Sequence, residues 1–430
     1  MSEKSINVRA VFWICVLAVF TAALSFSIRT GASGAIKAAL LDTGAPLHSG
    51  EMIATALGNA FLGFALSLLA ISPLLDLIGT RRVVLFCAAC FVTGPVLILL
   101  SPRMGGIDAV YAMLTAGMVV CGFGWGAMEA SVNPMTAALY PDDKTHRLNV
   151  LHAWWPAGIV IGGLCSLVLL EQLQLGWQSV IALIPLPALV FGGWALTQQF
   201  PRTESSDLGV PFGEMLAEPF RRPSFWIFPA IMFLTASAEL APGSWVDVAL
   251  SQTVGMPGIL VLVYVSAIMF VMRHFAGALE RRFSDMGLLW ACTVPAGLGL
   301  YALSLAASPL SALVAATLWA FGVCFMWPTM LAATARRFPR SGPWGIGIVG
   351  FAGAMAIWFV LPEIGKIYDR AKLAKAGGEA AFAALQPGPE LQQVLAYAAG
   401  QSFQAIALVP AVLFVIFGAV RLVERRRQGN

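Results

Sequence analysis

Apolar runs of 18 residues or more recur from one end of the chain to the other. A hydrocarbon core about 30 Å thick takes roughly 20 helical residues per crossing, so each run has the length of a membrane span. Twelve runs lie near 9–29, 50–75, 83–101, 109–139, 149–171, 177–199, 224–250, 257–280, 287–307, 310–335, 343–365 and 399–422. Lipid leaves backbone groups no partner but each other, so spans of this kind must be helices. The expected fold is an all-α membrane protein with twelve transmembrane helices. Composition agrees: 59% of residues are hydrophobic and 11% charged, too few charges to cover a water-facing surface, where soluble domains carry roughly 25%.

The net charge of +4 is no nucleic-acid signal, because the basic residues sort by side of the membrane instead of clustering on one element. With the N-terminus inside, Arg81, Arg82, Lys144, Arg147, Arg202, Arg221, Arg222, Arg281, Arg282, Arg336, Arg337 and Arg340 all fall on the cytoplasmic side. The positive-inside rule then puts both termini in the cytoplasm. The first span has a basic flank but continues into Arg29 and further spans, so it reads as a retained helix and not a signal peptide. All seven cysteines fall in spans, where they act as small hydrophobes; no disulfide framework or metal site is expected.

The polar stretch Pro201 to Ser224 divides the chain into two halves of six spans. The expected organisation is an N-terminal bundle over 1–200, a cytoplasmic linker over 201–223 and a C-terminal bundle over 224–430. The halves echo one another. Asp76-Leu-Ile-Gly79-Thr-Arg81-Arg82 follows the second span and Gly277-Ala-Leu-Glu280-Arg281-Arg282 the eighth, and His152-Ala-Trp154-Trp155-Pro156-Ala-Gly158 is matched by Gly342-Pro343-Trp344-Gly345-Ile-Gly347. Parallel halves around a central site are a transporter plan. Segment 366–398 alternates charged and apolar residues before Pro387-Gly388-Pro389. It is expected to lie on the outer membrane surface as short amphipathic helices.

Polar residues inside spans carry the functional signal. Glu129 stands in an otherwise apolar stretch, 109–139, and an ionised group at mid-bilayer costs at least about 2.5 to 3.5 kcal/mol, so it is expected to face a bundle interior and mark a solute or proton path. Asn133 lies four residues on, on the same helix face. Asn149, His152 and Trp155 form a stripe on the fifth span; His152 titrates near neutrality when unperturbed. Trp155 or Trp154 offers an aromatic face and an indole N–H to a sugar, or serves in an interfacial belt. Glu239 precedes the helix breaker Pro242-Gly243, and Trp327 precedes Pro328 in the tenth span as a candidate floor for a cavity. Arg29 and Arg273 are interior cations, suited either to an anionic solute or to charge balance with Glu129 and Glu239.

The segment Asp76 to Arg82 resembles the signature between the second and third spans of the major facilitator superfamily: an acid at a helix end, Gly79 in the turn, then Arg81 and Arg82. Glu129-Ala-Ser-Val-Asn133-Pro134, followed by Arg147-Leu148-Asn149, resembles the fucose permease-like branch. The resemblance implies two six-helix pseudo-symmetric bundles that rock to alternate access to a cavity lined by spans one, four, seven and ten. It also implies proton-driven uptake of a monosaccharide with Glu129 as proton carrier, and a conformational loop at Asp76, Gly79, Arg81 and Arg82.

Gly345-Ile-Gly347-Ile-Val-Gly350 matches a dinucleotide-binding pattern, but it lies in a span and follows no strand; close helix packing explains it, as it does Gly122 with Gly126 and Gly158 with Gly162. No metalloprotease, nucleophile-elbow or Walker sequence occurs. The chain is expected to be no enzyme and to need no cofactor or metal. The expected function is proton-coupled uptake of a monosaccharide or similar small polar solute by a monomer in the cytoplasmic membrane, its partners being solute, protons and lipid. The alternatives are a carrier of organic anions or sugar acids through the interior arginines, and a membrane sensor without transport.

Overall fold

The computed structural model describes residues 6–41, 43–44, 49–250, 254–256, 258–386 and 388–428. Pro387 of the anticipated Pro-Gly-Pro break lies outside them. Among the described residues the ordered elements are all helices. Eleven are long and apolar enough to cross a membrane, and Leu260–Arg273 with Ala276–Phe283 makes a twelfth span when this pair, bent by 64°, is counted as one. The first five spans are Val8–Gly31, Ser49–Ile78, Thr80–Leu100, Ile107–Leu139 and Lys144–Ser166. The sixth is Trp177–Thr197 and the seventh Ile227–Leu250. The bent eighth precedes Asp285–Ser304 as the ninth. The tenth is broken into Pro309–Val323 and Met326–Arg337. Gly342–Ala376 and Pro389–Gln428 complete the set.

Packing groups the chain into two compact units. The first comprises Met1–Trp226 and Thr334–Phe351, the second Ile227–Ala333 and Ala352–Asn430. Chain order alone divides the molecule at 201–223, whereas packing draws the hairpin between the tenth and eleventh spans into the first unit. Glycines explain part of this. A Cβ on Gly347 would lie 2.2 Å from Ser72 Oγ, and one on Gly342 2.2 Å from Ser205 Oγ. Polar contacts add to it: Arg336 donates to Thr145, and Arg340 pairs with Glu214 at 2.6 Å.

Small residues set the helix approach within each unit. Side chains drive no hydrophobic association in lipid, so close backbone contact and dispersion must hold spans together. Gly122 and Gly126 of the fourth span press on the second, where an added Cβ would fall 2.1 Å from Ala60 O and 2.4 Å from Phe64 O. Gly158 and Gly162 of the fifth span meet Phe20, Ala23, Leu24 and Ser27 of the first. In the second unit Gly299 and Gly322 seat the ninth and tenth spans on each other. All seven cysteines are free, and all but the half-buried Cys165 are buried, as small packing residues should be.

Segment 366–398 departs from its expected form. Residues 366–376 continue the eleventh span, which at 1.5 Å per residue runs roughly 52 Å, well beyond an about 30 Å core. Gly377 (φ 88°) and Gly378 (φ 118°) then break the chain, since only glycine tolerates both conformations cheaply. One short helix, Glu379–Ala384, precedes the long twelfth span. Lys372 lies 5.2 Å from the Phe382 ring and Lys375 5.4 Å from the Tyr397 ring.

Gly122→Val is expected to destabilise the protein by about 1 to 3 kcal/mol, seen as a lower thermal unfolding midpoint in detergent. Gly193→Ala, where an added Cβ meets nothing within 4 Å, should be neutral or slightly stabilising in the same assay.

Candidate functional site

In the first unit the fourth span carries its acid into a hydrogen-bonded chain. Pro134 has no N–H, so the helix there lacks one rung. Asn133, buried beside it, donates Nδ2 both to Glu129 O at 3.0 Å and to Glu129 Oε2 at 2.5 Å. Its amide oxygen then faces His152 Nε2 of the fifth span at 2.7 Å. With Nδ2 committed to the carboxylate, Oδ1 can only accept, so His152 carries its proton on Nε2. Glu129, Asn133 and His152 are 5%, 1% and 3% exposed. The amide is a poor proton wire, but it makes the orientation of the fifth-span imidazole depend on the fourth-span carboxylate. Asn149, also buried, sits a turn away with Nδ2 on Thr145 O at 2.8 Å.

One turn from Glu129 lies Trp125, which sequence reasoning missed. Its ring is sandwiched between Phe64 (4.4 Å, 11°) and Trp155 (4.6 Å, 29°), with Phe26 and Phe61 against the same cluster. Both faces of Trp125 are thereby covered, yet its buried indole N–H has no acceptor. Trp155 belongs to this interior cluster, whereas Trp154 packs edge-on against the exposed Trp13. The structure thus separates two tryptophans that the sequence could not. Trp125 had one signal: it stands between Gly124 and Gly126, four residues from Glu129, on the same helix face.

Arg29 is 2% exposed. Its Nε donates to Ser25 O at 3.0 Å and lies 3.3 Å from Ser25 Oγ, and Nη1 lies 3.6 Å from Met118 Sδ. Among the described residues none of its contacts is a carboxylate, Glu129 included.

The second unit treats its interior charges differently. Arg273 Nη2 pairs with Glu239 Oε1 at 2.8 Å, both groups almost fully buried. The tenth span supplies the remaining partners because it is broken. Pro328 has no N–H for Cys324 O, and Arg273 Nε donates to that carbonyl at 2.6 Å. Trp327 N, released at the break, donates to Glu239 Oε2 at 3.3 Å. The ion pair therefore ties the seventh, eighth and tenth spans together. Trp327 packs on Gly353, its indole N–H also without an acceptor.

The loop after the second span turns at Gly79, whose φ of 88° excludes other residues at low cost. Arg82 caps Ile78 O at 3.2 Å, and Arg81 is exposed. Asp76 accepts from Thr203 Oγ1 at 2.7 Å and Ser205 Oγ at 3.4 Å. Next to them the buried Lys144 pairs with Glu204 at 2.7 Å. Nothing in the sequence joined this acid to the linker. Among the described residues no cluster of His, Cys, Asp or Glu has metal-holding geometry.

Residues 15–362 match the profile of the Major Facilitator Superfamily. No curated protein sequence matches the chain. Among solved structures it is similar to the E. coli fucose:proton symporter FucP, at 15% identity over 94% of this chain and 98% of that one, with a TM-score of 0.68. The proton:xylose symporter XylE, solved with 6-bromo-6-deoxy-D-glucose, gives 13% identity, 96% and 95% coverage and a TM-score of 0.75. The human organic anion transporter MFSD10 (TETRAN) gives 15%, 96% and 100%, and 0.70. At these identities the likeness is one of fold.

Arg273→Met leaves Glu239 buried without its cation and should cost about 3 to 5 kcal/mol of stability, whereas the double variant Arg273→Met, Glu239→Leu should recover most of the loss. Thermal unfolding of the three proteins in one detergent reads the difference.

Proposed function

The chain belongs to the Major Facilitator Superfamily, and from that premise we propose that it takes up a small polar solute, a monosaccharide or a close relative, by alternating access coupled to protons. The observation that carries the proposal is the buried Glu129–Asn133–His152 chain, which links a titratable side chain on the fourth span to another on the fifth. When Glu129 gains a proton, the Asn133 amide loses the charge that orients it, and its hold on His152 weakens. Protonation at one side of the membrane can thus alter the fit between two helices and a bound solute. Amide, imidazole and carboxyl groups are also the partners that hydroxyl groups need. The resemblance to sugar:proton symporters in fold supports this class of solute.

The positive-inside pattern further supports a cytoplasmic membrane setting with both termini inside. The Asp76 loop is the proposed conformational element: its bonds to Thr203 and Ser205, with the Lys144–Glu204 pair, fasten the linker to the first unit. Breaking these contacts would expose the buried Thr203, Ser205 and Lys144, so they would act as a latch that a cycle opens as one unit.

In proteoliposomes an inward proton gradient should raise solute uptake by the wild-type protein. Glu129→Gln should abolish that stimulation, by about tenfold or more, while retaining solute exchange at equal pH on both sides. Gradient-driven uptake that survives Glu129→Gln unchanged would falsify the proton-carrier role.

A further inference from the structure

We propose that the second unit holds an anionic phospholipid in a groove between its ninth, eleventh and twelfth spans. A cavity of about 440 Å³ opens there, lined by Gly297 and Tyr301 of the ninth span, Ile367 of the eleventh and Gln401, Gln404 and Leu408 of the twelfth. Two residues account for the space. Gly297 has no side chain, and a Cβ there would meet only Pro410 Cβ at 3.5 Å and Ala407 O at 3.9 Å. Pro410 has no N–H to bond Ile406 O, so the twelfth span lacks one rung at the same level. The two spans touch again nearer segment 366–398, where a Cβ on Gly400 would lie 2.8 Å from Ser304 O. The opening is therefore local.

Its lining is graded from polar to apolar. The seven residues from Gln401 to Leu408 rise about 10 Å along the twelfth span, and over that length two amides give way to an aliphatic face. Exposed Leu408, Val412 and Val415 continue that face deeper into the bilayer. Tyr301 stands at the polar end, and Gly297, one turn below it, in the trough. Gln401 Nε2 donates to Gln404 Oε1 at 3.2 Å. That bond leaves the remaining amide N–H groups and Gln401 Oε1 for other partners. Hydrocarbon chains offer none. The ester and glycerol oxygens of a phospholipid do, at the depth where its chains meet its head.

Charge selects the head. Arg370 lies three residues after Ile367, on the same helix face and about 4.5 Å nearer the end of the eleventh span. Tyr397 lies one turn before Gln401, and Lys375 stands 5.4 Å from its ring, so a second cation overhangs the same end. Both Arg370 and Lys375 are exposed, and neither has an ion-pair partner among the described residues. Lys366, by contrast, is tied to Glu363 at 2.6 Å. Two cations, then an amide step, then an apolar trough match phosphate, ester and acyl chain in that order. A neutral amphiphile would leave the cations unused, and a water-soluble anion would leave the trough empty. A zwitterionic lipid would bring a further cation to the two already there.

The test uses purified full-length protein in detergent, titrated with palmitoyl-oleoyl phosphatidylglycerol or with the corresponding phosphatidylcholine. Native mass spectrometry counts the bound lipid, and thermal unfolding of the same samples gives a second readout. One phosphatidylglycerol should bind about tenfold or more tightly than phosphatidylcholine and raise the unfolding midpoint. The double variant Arg370→Gln, Lys375→Gln should bring the two lipids to the same affinity. Gly297→Leu, which fills the trough and leaves both cations in place, should weaken both lipids. If Gly297→Leu does not yield folded protein, the double variant, confined to exposed side chains, decides alone. Equal binding of the two lipids by the wild type overturns the proposal, as does a phosphatidylglycerol preference that survives the double variant. A dimer in place of bound lipid also overturns it, since the groove would then be an interface between copies of the chain.

Discussion

A charge inside an apolar bundle must be matched by protein, by water or by solute, because lipid offers it nothing. Most of what is specific in this molecule follows from how four interior charges meet that demand. Glu239 and Arg273 meet it with each other and with two backbone groups freed where Pro328 breaks the tenth span. Glu129 meets it partly through an amide that reaches on to an imidazole. Arg29 is held only by neutral groups among the described residues. The first two charges fix a helix arrangement, whereas the last two stand in the half of the molecule where titratable and aromatic groups gather.

The same contrast separates fixed from changeable parts. Glycine seams join the second span to the fourth and the first to the fifth with backbone contacts that tolerate no added carbon. Helices packed this closely move as bodies, since a seam of this kind has no intermediate arrangement of comparable energy. Exposed or half-exposed polar contacts are different. Arg340–Glu214 lies open to water, and a surface pair of this kind is worth about 0 to 1 kcal/mol. Rigid seams and weak fastenings are what a transporter that alternates between states requires.

Much of this was legible in the chain. Apolar length gave the spans, and basic residues sorted their ends. Gly79 declared a turn that only glycine makes, and Glu129 with Asn133 shared a helix face by spacing alone. The Pro328 break was visible as well, although not its consequence, because which side chain reaches a freed carbonyl depends on another helix 51 residues away in the chain. Partner choice was illegible throughout for that reason. Charge balance offered Arg29 to Glu129, but Arg29 turns back onto its own helix and Glu129 turns toward Asn133. Trp125 escaped notice because an aromatic residue in an apolar run looks like packing until its N–H is found without an acceptor. Segment 366–398 reads as separate short helices, yet residues 366–376 extend the eleventh span, because no helix breaker precedes Gly377 and Gly378.

The central claim is that solute movement and protonation of Glu129 are one process. Proteoliposomes loaded with a pH-sensitive dye and given solute outside, with no imposed gradient, test it most directly. The account predicts that adding a transported solute acidifies the lumen, at a rate that rises with solute concentration and vanishes with an uncoupler present. Solute entry at the same rate without any acidification would contradict it.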